Sequence, residues 1–480
     1  MDKISIQLSK IHKSHLGDIA ILLSGSVITA VLSFLAAPIL TRIYPPSDFG
    51  YLAIFLAIVN SLFPAATLRY ELSINMHHNN KLSQYGILLS IVISLFVCFI
   101  IELMILIQPS ILLTIFNSSE MKPYIYFIPV SIFCLSLITT FGYWFTHIKK
   151  FHCQTTAQIV QTIIRLASQI LFGFLGSLQS AGLLIGQILA HIAGALLAVF
   201  LYFKHTQKKQ RLLSINYNTL KSFAFKHINL PKHTITTNLI NGVAGNLFPV
   251  LLAYYFSPAA AGLLFLAQQL LEAPFGMINK ALWRVSYGKL SKETKKPHIA
   301  YRTLRKIHSN VSLLYSIPVL VLISFSEYSS IIFGESWKDF ALIIPGYCFY
   351  VYFKNLSNAT SYFTIFHKFT QESVWNIINL TVRILSIIIA ANITDDPINC
   401  ITIYCFISSL VYIGINTYWG LVSLQLGVFW ENIAITIIPV LTIAYLISNF
   451  TNSLLNKLLL TSIFLVLFLF LSIKRLRKIG

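Results

Sequence analysis

Charged residues are what this chain most conspicuously lacks. Only 10% of its 480 residues are Asp, Glu, Lys or Arg, against about 25% in ordinary soluble domains. Acids are scarcest, with 15 Asp and Glu facing 35 Lys and Arg for a net charge of +20. Six cysteines (Cys98, Cys134, Cys153, Cys348, Cys400, Cys405) are scattered through apolar runs. Without metal-ligand spacing, they read as small buried hydrophobes rather than a disulfide or zinc framework. No Walker-type glycine-rich loop occurs, which argues against direct nucleotide drive. The thirteen histidines, among them His77, His78, His147 and His152, lie mostly between apolar runs at spacings that suit no metal. The segments between apolar runs on the outer side are too short to carry the carboxylate or histidine set of a glycosyltransferase or polymerase. The acids between apolar runs on one side (Asp48, Glu120, Glu327, Glu335, Asp339, Asp395, Asp396) form no motif.

What the chain does have is apolar length. It is 56% hydrophobic, its mean hydropathy is +0.74, and runs of roughly 18 to 24 residues recur, each able to cross a hydrocarbon layer of about 30 Å. The expectation is an all-α integral membrane protein with fourteen spans, at 17–40, 50–70, 85–106, 123–145, 158–176, 181–203, 233–256, 260–280, 308–327, 341–363, 374–391, 399–424, 432–448 and 457–473. The first run is a full span rather than the short core of a cleavable signal. With the N-terminus inside, alternate segments hold 28 Lys or Arg on the inner side and 4 on the outer. That asymmetry places both termini in the cytoplasm. It also explains the positive charge without nucleic acid, and residues 474–478 read as an inner anchor against anionic lipid.

The basic segment 204–232 separates span six from span seven. Pro46 and Gly50 after span one match Pro258 and Gly262 after span seven at one offset, 212. Spans 1–6 and 7–12 therefore read as parallel repeats. This divides the chain into an N-lobe (1–203), a basic linker (204–232), a C-lobe (233–424) and a two-helix appendage with a basic tail (425–480).

Several spans carry polar residues at helical spacing. Gln158, Gln161, Arg165 and Gln169 share one face of span five, and Tyr347, Tyr350, Lys354 and Asn358 share one face of span ten. Asn376, Asn379 and Arg383 do so in span eleven, Asn238 and Asn241 in span seven, and Gln268, Glu272 and Lys280 lie along span eight. Single amides can be helix glue, worth on the order of 0.6–2 kcal/mol per contact. The cations demand more, since a mid-helix Lys or Arg costs about 2.5–3.5 kcal/mol on the lenient scale. Either Arg165, Lys354 and Arg383 line a water-filled cavity, or they pair with a buried acid. Glu272 is the one acid deep in a span, and both ion coupling and a fixed salt bridge are open to it. A positive cavity favours an anion, and arginine suits phosphate. Tyrosines and amides suit sugar hydroxyls.

Residues 41–50 (Thr-Arg-Ile-Tyr-Pro-Pro-Ser-Asp-Phe-Gly) and 68–74 (Leu-Arg-Tyr-Glu-Leu-Ser-Ile) resemble the Wzx-type polysaccharide flippases, within the superfamily that includes the multidrug and toxin extruders. Residues 229–233, 272–274 and 285–289 add to the likeness. The resemblance implies two six-helix lobes around a central cavity plus two C-terminal helices, in a bacterial inner membrane; because one chain holds both repeats needed for a cavity, a monomer is expected. It implies alternating-access transport of an undecaprenyl-pyrophosphate-linked repeat unit for O-antigen, lipopolysaccharide, capsule or exopolysaccharide, beside the polymerase and chain-length machinery. It implies no cofactor beyond a proton or sodium gradient used by an antiporter. It makes Arg69, Glu71, Lys280 and Arg284 candidates for the inner gate. A cation or drug extruder of the same fold is the alternative, and a membrane polymerase or ligase is a further one.

Overall fold

The computed structural model describes residues 24–77, 79–116, 121–176, 181–206, 217–272, 275–276, 279, 297–360, 366, 368–422, 437–443, 447, 460–462 and 464. Among these, every regular element is a helix. In order the main ones are α1 (Ser24–Ile43), α2 (Pro46–Ala66), α3 (Asn80–Ile107), α4 (Ile128–His147), α5 (Phe151–Phe174), α6 (Gly182–His205), α7 (Tyr217–Lys226), α8 (Asn229–Tyr255), α9 (Pro258–Ala267), α10 (Pro297–Ser324), α11 (Phe340–Thr360), α12 (Phe369–Ile393) and α13 (Pro397–Val422). Nine helices among the described residues are long and apolar enough to cross a membrane. Helices α8 and α11 are not among the nine but occupy the seventh and tenth expected spans. The last two expected spans fall largely outside the described residues, so the count of fourteen rests on the sequence.

Local chemistry sets the helix starts. Pro46 opens α2, where a missing N–H costs nothing, and the Asn79 side chain accepts from Lys81 N at 2.9 Å to cap α3. Outward faces are apolar: α3 exposes Leu95, Phe96, Phe99 and Leu103, as a bilayer requires. At the basic end of the first half, Ile74, Ile87, Phe141, Trp144, Phe145, Cys153, Ala198 and Tyr202 form a buried cluster.

The helices group into two compact units, Met1–Gly262 and Leu263–Gly480. Helix α8 lies in the first because it packs along α2, with Ser61 Oγ donating to the Gly242 carbonyl at 3.2 Å. The packing unit thus extends past the basic linker that separates the sequence repeats. Inside it, the two matched Pro/Gly pairs meet reciprocally. A Cβ on Gly50 would overlap the Pro258 carbonyl, and one on Gly262 would overlap the Pro46 carbonyl. Residue i touching residue j of the other repeat while j touches i is the signature of a two-fold relation. Here only glycine lets the backbones cross.

Beyond α2 the chain turns through Leu68 (φ 47°) and Arg69 (φ 63°), left-handed conformations costing about 1–2 kcal/mol each, into a short 3₁₀ segment, Tyr70–Met76. Helix α7 docks on it. Tyr70 OH donates to the Ala224 carbonyl at 3.2 Å, Tyr70, Leu89 and Phe223 bury one another, and His77 Nε2 meets His227 Nε2 at 3.0 Å. One imidazole must donate and the other accept, so this bond needs at least one neutral ring. Burial, then the nearby Lys226, lower the pKa of His77. Burial, His77 and Lys226 lower that of His227.

Two outcomes follow. Gly50→Ala and Gly262→Ala should each cut detergent-solubilised thermal stability by about 1–3 kcal/mol, whereas Gly245→Ala, in open space, should be neutral or stabilising. For the histidines, a depressed folded pKa means that the unfolded chain binds more protons, so stability rises with pH across the gap. The contribution is complete above about pH 6.5 and is lost as pH falls below it. Melting curves from pH 8 to 5 should show that slope, and the His77→Gln/His227→Gln double variant should make it shallower.

Candidate functional site

Helix α9 does not end cleanly. After Ala267 it widens into one π-turn, Gln268–Glu272, a distortion common at functional sites, and this turn presents Glu272. Tyr347, Tyr350 and Lys354 follow one face of α11. Lys354 Nζ lies 2.7 Å from Glu272 Oε2, and Tyr347 OH donates to Oε1 at 2.5 Å. Helices α11 and α12 both pack on α13, which brings Arg383 to Tyr404. The guanidinium donates to the Tyr404 hydroxyl from Nε at 2.8 Å and again from Nη2. It lies 5.4 Å from the Tyr404 ring and 5.8 Å from the Tyr350 ring. Lys354 Nζ is 5.4 Å from the same Tyr350 ring, so one tyrosine stands between the two cations, in reach of both for cation–π attraction. Asn379, a turn before Arg383, donates to Tyr412 OH at 3.1 Å.

Lys354 and Glu272 are thus an ion pair, while the hydrogen bonds of Arg383 go to the neutral Tyr404 hydroxyl. Two cations and one acid leave this cluster with one positive charge. Tyr347, Tyr350 and Tyr404 around it are fully buried.

In the first half Arg165 donates to Ser33 Oγ on α1 at 2.6 Å. The glutamines sharing its face behave differently. Gln169 donates to the Leu183 carbonyl at 3.0 Å, and Gln161 packs against Gly194, so both knit α5 to α6. Gln158 lines a cavity of about 270 Å³ with Thr139, Tyr143, Thr146 and Gln154. Arg69 pairs with Glu71 at 3.1 Å, and Thr67 Oγ1 donates to the same carboxylate at 2.6 Å, a clasp around the left-handed turn. Asn238 and Gln268 are half-buried, and Asn376 is exposed. Lys280, Arg284 and the side chains of Asn241 and Asn358 lie outside the described residues.

Tyr404 and Tyr412 are partners that periodicity did not reveal, since α13 reads as plainly apolar. A second signal is the duplication itself. Setting Phe151, which opens α5, against Phe369, which opens α12, pairs Lys150 with Lys368, Gln158 with Asn376, Gln161 with Asn379, Arg165 with Arg383 and Ser168 with Ser386. The local geometry repeats too: Ser168 Oγ donates to the Arg165 carbonyl at 3.1 Å and Ser386 Oγ to the Arg383 carbonyl at 2.7 Å. The two intramembrane arginines are one motif present twice.

Comparison with known proteins fits this architecture. No curated protein sequence matches the chain. Among solved structures it is similar to "Lipid II flippase MurJ, inward closed conformation", at 15% identity and a TM-score of 0.64, covering 93% of this chain and 98% of that one. It is similar also to an inward-facing multidrug resistance MATE family transporter of the MOP superfamily, at 12% identity and a TM-score of 0.63, covering 86% and 99%. At such identities the likeness is one of fold. The model of the family described as "Polysaccharide biosynthesis protein" matches residues 39–342, well over half the sequence, and the chain belongs to that family as a multi-pass membrane protein.

Proposed function

We propose that the protein is a flippase carrying an undecaprenyl-pyrophosphate-linked oligosaccharide from the inner to the outer leaflet of a bacterial cytoplasmic membrane, for surface polysaccharide synthesis. It is a transporter rather than an enzyme, with both termini inside. The observation that carries this reading is the repeated arginine motif: each half holds an intramembrane guanidinium whose hydrogen bonds, among the described residues, go to hydroxyls, while Glu272 acts on Arg383 only through space. A guanidinium kept for structure alone is most cheaply neutralised by an acid. One left charged in a buried setting is suited to a phosphate, which accepts in the bidentate geometry that arginine offers. The family's tie to polysaccharide biosynthesis supports a glycan-lipid cargo, and the flippase-like fold supports movement across the bilayer.

The Glu272–Lys354 pair gives this cycle a coupling element. A substrate phosphate that draws Lys354 away leaves Glu272 to be neutralised by a proton or a sodium ion, so the two binding events become linked. The ammonium and carboxylate would re-pair once cargo and ion have left.

Arg165→Ala and Arg383→Ala should each abolish surface glycan in a deletion host and leave the lipid-linked oligosaccharide on the inner side, with the protein still inserted. Arg383→Lys should restore only part of the transport, because lysine lacks the bidentate fork. Normal glycan from both alanine variants would overturn the reading, and export of cationic dyes unaffected by loss of glycan genes would replace it with drug extrusion. For the coupling pair, Lys354→Met alone should destabilise the protein by on the order of 1 kcal/mol, the cost of leaving the half-buried Glu272 without its partner. The Glu272→Gln/Lys354→Met double variant should recover that stability yet lose the dependence of transport on the ion gradient, as read with ionophores.

A further inference from the structure

The basic end of the first half holds a cluster that the transport reading does not use. Antiparallel packing of α5 and α6 sets the first turn of one helix against the last turn of the other. His152 and Cys153 from α5 thereby meet His205 from α6, their ligand atoms all within 4.8 Å of one another. The imidazoles of His152 and His205 stand edge to face, 5.9 Å between centroids at 86°. His152 is exposed and His205 half-buried, while Cys153 is buried among apolar side chains. We propose that these three residues bind a zinc-class divalent ion, with water in the fourth position.

Several observations converge on that ligand. Two imidazoles and a thiol match the nitrogen and sulfur preference of zinc, and three protein ligands plus water is a common zinc arrangement. The set contains no carboxylate, and Lys150 and Lys204 lie close enough to act on it electrostatically. The lack of oxygen ligands disfavours hard cations such as magnesium and calcium, and because the lysines oppose every divalent ion, binding must come from the nitrogen and sulfur bonds. The set admits an ion held by a thiolate. Cys153 is the third residue of α5, buried among apolar side chains, so the ion itself must displace the thiol proton as it binds.

The fold does not demand these residues. The repeat-equivalent positions in α12 are Thr370 and Gln371, and that helix forms the same opening turn without either ligand. Zinc–sulfur and zinc–nitrogen distances of about 2.3 and 2.0–2.1 Å place tetrahedral ligand atoms about 3.5 Å apart, so closure asks for roughly 1 Å of contraction. The exposed His152 and half-buried His205 can supply it by side-chain rotation while Cys153 stays in its pocket. The site lies thirteen residues, about 20 Å of helix, from Arg165. It is therefore separate from the intramembrane cations, and a bound ion would staple the ends of α5 and α6.

The test uses the purified full-length chain in detergent, without a histidine tag, titrated with Co²⁺ and then Zn²⁺. One equivalent of Co²⁺ should give a thiolate-to-metal charge-transfer band that Zn²⁺ removes. Cys153→Ser should abolish the band, and His205→Ala should weaken Zn²⁺ binding at least about tenfold, in line with the loss of affinity that follows damage to a metal site. His152→Ala alters an exposed side chain, so its expected tenfold loss is free of folding effects. Absence of the band in the wild type, or its survival in Cys153→Ser, would overturn the proposal. So would unchanged Zn²⁺ affinity in His152→Ala.

Discussion

Hydrocarbon offers no hydrogen bonds, so each polar atom placed between the faces of a bilayer must find its partner within the protein. Most of the described structure can be read as answers to that demand. Small hydroxyls return to their own helix, as Ser90 does to the Gly86 carbonyl, Ser136 to Ile132 and Ser409 to Cys405. Glutamines are used between helices, with Gln169 joining α5 to α6. The two arginines are the hardest case, because a guanidinium carries five donors and a charge. They take hydroxyls, Ser33 in one half and Tyr404 in the other, which satisfies some donors and leaves the charge available.

Much of the helical framework was legible in hydropathy, because apolar length is a direct imprint of bilayer thickness. The boundaries were less so. Span five reads as starting at 158, yet α5 begins at Phe151, since its first two turns contain His152, Gln154, Thr155 and Thr156 and look polar while being helical. Span two reads to residue 70, but α2 ends at Ala66. Nothing in composition announces that Leu68 and Arg69 turn left-handed, a conformation held by the clasp among Thr67, Arg69 and Glu71.

The polar faces were legible as faces and not as contacts. Spacing of three and four residues says which side chains share a side of one helix, and nothing about which helix stands opposite. Arg165 and Gln169 share a stripe, yet one reaches α1 and the other α6. Lys354 and Glu272 are far apart in sequence and adjacent in space because a π-turn re-aims the acid, a local departure that no periodic pattern encodes. The internal duplication is the signal that could have gone further. Two short segments with amide, amide and arginine at the same intervals identify the motif before any fold is known.

That duplication also separates what the scaffold supplies from what the second half adds. The arginine motif is shared, but the acid and ammonium are not: at the offset of 212 residues that relates the helices carrying them, Glu272 corresponds to Asn60 and Lys354 to Gly142. An arginine that recurs in each repeat gives, by itself, no preference to either direction of movement. Direction requires a second event tied to the first. If the protein is the proposed flippase, the Glu272–Lys354 pair, whose repeat-equivalent positions hold Asn60 and Gly142, is the place where a substrate phosphate and a small cation would exchange partners. On the flippase reading, the symmetric element is the grip and the asymmetric element is the coupling. Replacing Arg383 should therefore weaken cargo binding itself, whereas neutralising Glu272 and Lys354 together should leave cargo bound and uncouple its movement from the gradient.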